Sequence, residues 1–265
     1  MLRDITIGQY IPQKSPIHSL DPRTKILGGI LYIVMIFMID RIEYFALVAL
    51  FLVALMKLAK LPVKYLVKGL KPLRMILILT MIVNLYTTPG PMWVKFIFPI
   101  SKEGVYKAIF MALRLSFLVV GTSILTLTTS PISLTEGIER LLAPLKKIRV
   151  PVHEFAMMMT IALRFIPTLM EEADKIQKAQ TARGADFETG GVFQRAKNLV
   201  PLLVPMFLVS IRRAEELAEA MESRCYRGDE GRTRMHPLHY GKADAYAALV
   251  LIVFFGGLWA LERYV

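Results

Sequence analysis

Five apolar stretches, each with few or no charged side chains, set the limits on how this chain can fold. They are residues 26–39, 44–56, 75–88, 105–129 and 243–261. With 55% hydrophobic residues and a mean hydropathy of +0.49, the chain is too apolar for an ordinary soluble domain. In a bilayer, about 20 apolar residues make one helical span. We therefore predict an all-α membrane protein with about five transmembrane helices.

The first two stretches are separated by Asp40, Arg41 and Glu43. One continuous helix would bury these charges in the middle of the bilayer, which is costly. Two helices joined by a charged turn are therefore expected. Because both stretches are shorter than a full span prefers, flanking lysines such as Lys25 and Lys57 should extend their amines toward water.

The distribution of basic residues predicts the orientation. Residues 57–74 carry five lysines and one arginine without any acid, in a chain whose net charge is +12. Basic loops remain on the cytoplasmic side of a membrane. This places 57–74 and the N-terminus inside, 40–43 and 89–104 outside, and the C-terminus outside. The expected location is the cell (inner or plasma) membrane, as a multi-pass protein.

Three regions follow along the chain. Residues 1–129 form an N-terminal membrane domain with four spans, 130–242 a cytoplasmic region, and 243–265 a C-terminal transmembrane helix. Within the cytoplasmic region, residues 153–180 and 193–224 repeat apolar side chains every three or four positions. Both patterns predict long amphipathic helices that are too charged to span a membrane and too one-sided to remain without a partner.

The two long helices end alike. The first ends in TARGAD and the second in ESRCYRGDEG, so arginine stands between small residues in Ala182-Arg183-Gly184 and Ser223-Arg224-Cys225. One interpretation is C-capping, with Gly184 in a left-handed conformation and arginine complementing the helix dipole. The other is docking, because a guanidinium between small neighbours can enter a partner's groove and pair with a carboxylate.

Catalytic and metal-binding patterns are absent. The sequence contains no phosphate-binding Gly-Lys-Ser/Thr loop and no His-Glu-x-x-His motif, so we expect no catalytic residue and no cofactor. His236 and His239 alone are too few ligands for zinc. A standalone secondary transporter would need ionisable groups at the membrane midplane. Four of the five apolar stretches offer almost nothing beyond Asn84, glycines and hydroxyls, which counts against this alternative. Arg114 is an ionisable residue inside the fourth stretch, and we expect it to face the bundle interior or a backbone carbonyl.

The chain resembles the transmembrane T component of energy-coupling factor (ECF) transporters, the vitamin and metal uptake branch of ABC transporters. The resemblance rests on the two arginine-containing helix ends, on SLDPRTK (residues 19–25) and on LLAPLKKIRVPVHEFAMMMTIALRFIP (residues 141–167). The ending SRCYRGDEGRT is similar to the variant in T components that serve several vitamin-binding partners. Cys225 departs from the glycine that many members have.

The resemblance implies a non-catalytic subunit that transmits ATP-driven motion for vitamin uptake; a T component dedicated to cobalt or nickel is the alternative within the family. It implies that Arg183 and Arg224 dock into two cytoplasmic ABC ATPase subunits, which bind the ATP. It also implies a small membrane-embedded substrate-binding S component resting on the long helices. The candidate contacts for that subunit are Met157, Met158, Phe165, Leu169, Phe207 and Ile211.

Overall fold

The computed structural model describes residues 10–88, 92–94, 100–187, 189, 191–228 and 237–264. These residues divide into two compact units. The first unit contains the described residues up to Leu141 and from Pro237 onward. The second unit contains those from Leu142 to residue 228.

The described residues are predominantly helical. The helices are α1 (Pro22–Met38), α2 (Tyr44–Ala59), α3 (Val63–Leu70), α4 (Arg74–Thr87), α5 (Lys102–Thr128), α6 (Pro131–Leu142), α7 (Val152–Ala182), α8 (Val192–Asn198), α9 (Val200–Glu222) and α10 (Lys242–Tyr264). A 3₁₀ helix, Ala143–Ile148, follows α6. One short antiparallel strand pair, β1 (Met92–Val94) and β2 (Ile100–Ser101), precedes α5.

Each predicted apolar stretch lies in a helix of its own: α1, α2, α4, α5 and α10. The predicted charged break is confirmed, because α1 ends at Met38 and α2 begins at Tyr44. By length and composition, α5 and α10 can each cross a membrane, whereas α2 and α4 are shorter apolar helices. The predicted all-α membrane fold is confirmed, with the strand pair as an addition.

Helix α5 organises the core of the first unit, since it packs against α1, α2, α3 and α4. Its Gly121 allows a close approach by Tyr32 of α1. A Cβ at Gly121 would lie 2.1 Å from Tyr32 Cε1, well inside van der Waals contact. Tyr32 is buried and donates a hydrogen bond of 2.7 Å to the Phe117 carbonyl. Phe117 in turn packs against Phe45 of α2, with ring centroids 5.6 Å apart.

Arg114 of α5 points into the first unit, as expected. Its Nη2 donates to the Ile39 carbonyl just after α1, and it lies 3.8 Å from the Asp40 carboxylate. The guanidinium also lies 4.6 Å from the centre of the Phe110 ring. Groups of the chain itself therefore contact and orient this guanidinium.

A polar cluster joins the first turns of α1 and α10. Asp21 caps α1 by accepting from the Arg23 amide, and its own amide donates 2.8 Å to Asp244 Oδ1. Asp244 Oδ2 accepts from the Gly241 amide at 2.8 Å. Arg23 pairs with both Asp21 oxygens and covers the Tyr240 ring at 3.8 Å. Because all these groups are satisfied, the cluster fixes where both helices begin.

The Asp21 carboxylate is ionised at neutral pH in this cluster. Burial raises its pKa, but the hydrogen bonds and the positive charge of Arg23 outweigh burial and hold the pKa below its usual range. The predicted N-cap role of Asp21 is thus confirmed. Arg23 proves to be a structural partner of that cap, beyond a flanking positive charge.

In the second unit, the first long helix is continuous, but the predicted continuous helix 193–224 is wrong. The chain breaks at Leu199 into α8 and α9. Pro201 explains the break, because proline has no amide hydrogen to donate to the carbonyl four residues earlier, at Lys197. Proline with its fixed φ is instead well placed in the first turn of α9.

Candidate functional site

The end of α7 is closed by two backbone hydrogen bonds. The Ala185 amide donates 3.0 Å to the Gln180 carbonyl, and the Gly184 amide donates 2.9 Å to the Thr181 carbonyl. Gly184 has a left-handed φ of 89°. This pattern is the Schellman motif, in which the residue before the left-handed position is the C-cap. Arg183 occupies that position.

The end of α9 has the same geometry. The Tyr226 amide donates 3.1 Å to the Met221 carbonyl, and the Cys225 amide donates 2.8 Å to the Glu222 carbonyl. Cys225 takes the left-handed position with φ of 56°. Arg224 therefore stands at the same place in this motif as Arg183 in the first.

Cys225 shows how the helix end tolerates a residue other than glycine. A left-handed conformation costs an ordinary L-residue roughly 1–2 kcal/mol. The backbone adopts it here nonetheless, and the Cys225 side chain is exposed. With cysteine in place of glycine, the end of α9 therefore still has the left-handed turn and the two backbone hydrogen bonds seen at the end of α7.

Neither arginine side chain takes part in its own cap. The cap bonds use backbone groups, and the side chains of Arg183 and Arg224 are exposed. Within the described parts of the chain, no carboxylate forms an ion pair with either guanidinium. The C-cap interpretation is confirmed for the backbone, but it gives the two guanidinium groups no role within this chain.

The two long helices, α7 and α9, pack against each other and are joined by an ion pair. Glu172 of α7 lies 3.5 Å from Arg213 of α9 and 3.1 Å from Lys175. Glu172 precedes Arg183 by eleven residues, and Arg213 precedes Arg224 by the same number. At 1.5 Å per residue, each arginine lies about 16 Å along its helix beyond this contact. Measured from the ion pair of Glu172 with Arg213, the two arginines therefore end two helix segments, or arms, of equal length.

The first half of α9 exposes an apolar stripe. The side chains recur at helical spacing and are each at least two-fifths exposed: Val200, Leu203, Val204, Phe207, Leu208 and Ile211. The second half is different, with six charged residues between Arg212 and Glu222. An uncharged, exposed helix face of this length normally marks an interaction surface or a membrane contact.

The candidate contacts for a substrate-binding subunit are distributed unevenly. Phe207 and Ile211 lie in the α9 stripe at 67% and 42% exposure, and Met158 of α7 is 53% exposed. The other three candidates, Met157, Phe165 and Leu169, are partly buried on α7. Four further residues extend the stripe and were not among the predicted contacts: Val200, Leu203, Val204 and Leu208. Their spacing of three and four residues was the available signal.

The described residues contain no group of three or more histidine, cysteine or acidic side chains placed to hold a metal ion. His239 is exposed, and His236 lies outside the described residues. The candidate site described here is a pair of matched helix ends with an apolar stripe behind one of them.

Comparison with known proteins assigns the family. The CbiQ family model, described as cobalt transport protein, matches residues 13–236. The chain is 54% identical over 256 residues to a protein of Acidaminococcus fermentans, covering 96% of both chains. It is 57% identical over 248 residues to a protein of Thermosediminibacter oceani, covering 93% of both. A protein of Bacillus subtilis is 46% identical over 255 residues, with 96% of both covered.

All three relatives are named energy-coupling factor transporter transmembrane protein EcfT. The family match covers most of the chain, including both arginine-containing helix ends. This agrees with the apolar helices of the first unit and with the resemblance found in the sequence. The chain therefore belongs to the CbiQ family and is an energy-coupling transmembrane component of the ECF transporter type.

Proposed function

We propose that this chain transmits ATP-driven motion from two cytoplasmic ABC ATPase subunits to a small membrane-embedded S component during vitamin uptake. The observation that carries the proposal is the matched pair of helix ends, with Arg183 and Arg224 at equivalent C-cap positions. Two equal arms fit two similar partner subunits, one arginine for each. The chain binds no ATP itself in this proposal and needs no cofactor.

Each matched end is rigid where the arginine leaves the helix, since its last turn is closed by backbone bonds. Small neighbours, Ala182 and Gly184 on one side and Ser223 and Cys225 on the other, leave room around each guanidinium. A planar guanidinium can pair with a carboxylate through two parallel hydrogen bonds. A push on either arginine would pass along its arm to the contact of Glu172 with Arg213.

Vitamin uptake is proposed over cobalt uptake because the ending SRCYRGDEGRT (residues 223–233) resembles the variant in T components that serve several vitamin-binding partners. The names of the relatives refer to energy coupling and state no substrate. The family model's own description refers to cobalt. Met157, Met158 and Met159 also favour several partners, because methionine side chains repack easily against different surfaces.

Copurification tests the proposal. A tagged chain extracted from its native membrane should carry two ABC ATPase subunits and at least one small, wholly apolar membrane protein. Recovery of several such small proteins with bound vitamins would support the shared vitamin type. A single small partner that binds cobalt or nickel would assign the metal type, and a chain that purifies alone and transports solute would refute the coupling role.

We also propose the orientation with the N-terminus and the arginines in the cytoplasm and the C-terminus outside. It is supported by the unopposed basic residues at 57–74. In a Cys225→Ser background, Glu43→Cys should react with an impermeant thiol reagent added to intact cells. Lys60→Cys and Lys178→Cys should react only after the cells are opened. Labelling of either lysine position in intact cells, or protection of position 43, would contradict this orientation.

A further inference from the structure

Helix α3 of the first unit has three distinct faces. It lies between α2 and α4, both apolar, and is eight residues long. Leu66, which is 3% exposed, lies on the face that packs against α5. On the same face, a Cβ at Gly69 would lie 3.3 Å from Ser123 Oγ of α5. This face fixes α3 to the bundle.

The other two faces of α3 are exposed and have opposite character. Val63 and Val67 are 62% and 59% exposed, and Leu70 continues their stripe. An exposed lysine comes directly after each of these three apolar residues: Lys64, Lys68 and Lys71. The helical conformation continues through Lys71, whose φ and ψ are −55° and −47°. An apolar stripe and a basic stripe therefore run side by side.

We propose that α3 lies in the headgroup region of the bilayer and binds anionic phospholipids there. The apolar stripe would enter the acyl boundary while the three lysines meet phosphate groups, the arrangement of an interfacial amphipathic helix. Position supports this occupant, because α3 is tied at both ends to apolar helices, α2 and α4. Charge supports it too, because residues 57–74 hold six basic residues and no acid to neutralise them.

A protein with an acidic surface is a weaker match to the same features. The exposed valines would then need an apolar groove directly beside the acidic groups. An anionic lipid supplies both environments in one molecule. The inference concerns α3 alone and does not depend on the coupling role proposed above.

A local tryptophan reporter tests this proposal in the full chain. The chain has two tryptophans, Trp93 and Trp259. With both replaced by phenylalanine, Val67→Trp places a single fluorophore in the apolar stripe. The protein is reconstituted into vesicles of phosphatidylcholine and phosphatidylglycerol in which only one of the two lipids carries brominated, quenching acyl chains.

Brominated phosphatidylglycerol should quench this tryptophan more strongly than brominated phosphatidylcholine. The apparent affinity for phosphatidylglycerol should be several-fold higher, since each lysine near an anionic surface contributes roughly fivefold. High salt should reduce the preference. Combining Lys64→Gln, Lys68→Gln and Lys71→Gln should bring the ratio of the two lipid affinities close to one. The control is Lys147→Gln, Lys178→Gln and Lys197→Gln, which removes the same charge from exposed positions elsewhere and should keep the preference.

Four results would overturn the proposal: no quenching by either lipid, equal quenching by both, a preference that survives the triple change in α3, or an equal loss in the control. If the α3 variant instead released the ATPase subunits from the purified complex with its lipid preference unchanged, the basic stripe would be a protein contact.

Discussion

Replacing both Arg183 and Arg224 by alanine is expected to abolish ATP-driven uptake while the chain remains folded in the membrane. The cap bonds at both helix ends are made by backbone groups, so loss of the side chains should cost only some tenths to about 1 kcal/mol of helix stability. If each guanidinium pairs with a carboxylate buried in an ATPase subunit, losing it costs about 3–5 kcal/mol of binding. That corresponds to roughly 10²- to 5 × 10³-fold weaker association at each end.

The measurements are vitamin uptake by cells and the recovery of ATPase subunits with the tagged chain. Single replacements should weaken both, and the double replacement should weaken them further. Arg183→Lys and Arg224→Lys should be intermediate, because an ammonium keeps the charge but loses the paired hydrogen bonds. Arg227→Ala removes an exposed arginine just beyond the second helix end and serves as the control. Normal uptake with normal ATPase recovery in the double variant would leave the arginines as caps only.

Placing aspartate at Phe207 is expected to release the S component while the ATPase subunits remain bound. Phe207 is 67% exposed at the centre of the α9 stripe. Burying a phenylalanine against a partner contributes about 1.5–3 kcal/mol, and an unpaired carboxylate buried in its place adds a further penalty. At least a tenfold to hundredfold loss of S-component association should follow. Met158→Asp tests the exposed face of α7 in the same way.

The ATPase subunits should be spared because Phe207 lies seventeen residues before Arg224, or about 26 Å along the helix. Ala218→Asp is the matched control, since Ala218 is exposed in the charged half of α9. Quantifying both partner classes in one copurification separates the outcomes. Loss of both classes would indicate misfolding of the chain, and loss of neither would place the S-component surface elsewhere.

Much of the fold follows from local sequence. Asp40, Arg41 and Glu43 end one apolar helix before the next begins, because three charges cannot lie in the middle of a span. Asp21 and Pro22 mark the start of α1 through side-chain capping and a fixed φ. The two arginines at the helix ends were visible as a repeated local pattern. Pro201 also carried a local signal for the break at Leu199, although the longer apolar periodicity obscured it.

Tertiary structure alone decided the features that join distant residues. Asp21 and Asp244 are 223 positions apart and meet because α1 packs against α10. The contact of Glu172 with Arg213, which gives the two arms equal length, depends on how α7 packs against α9. Periodicity shows which side chains share a helix face, but only packing determines which face stays exposed. That is why the sequence predicted an apolar face on α9, and the folded chain was needed to show that it remains uncovered from Val200 to Ile211.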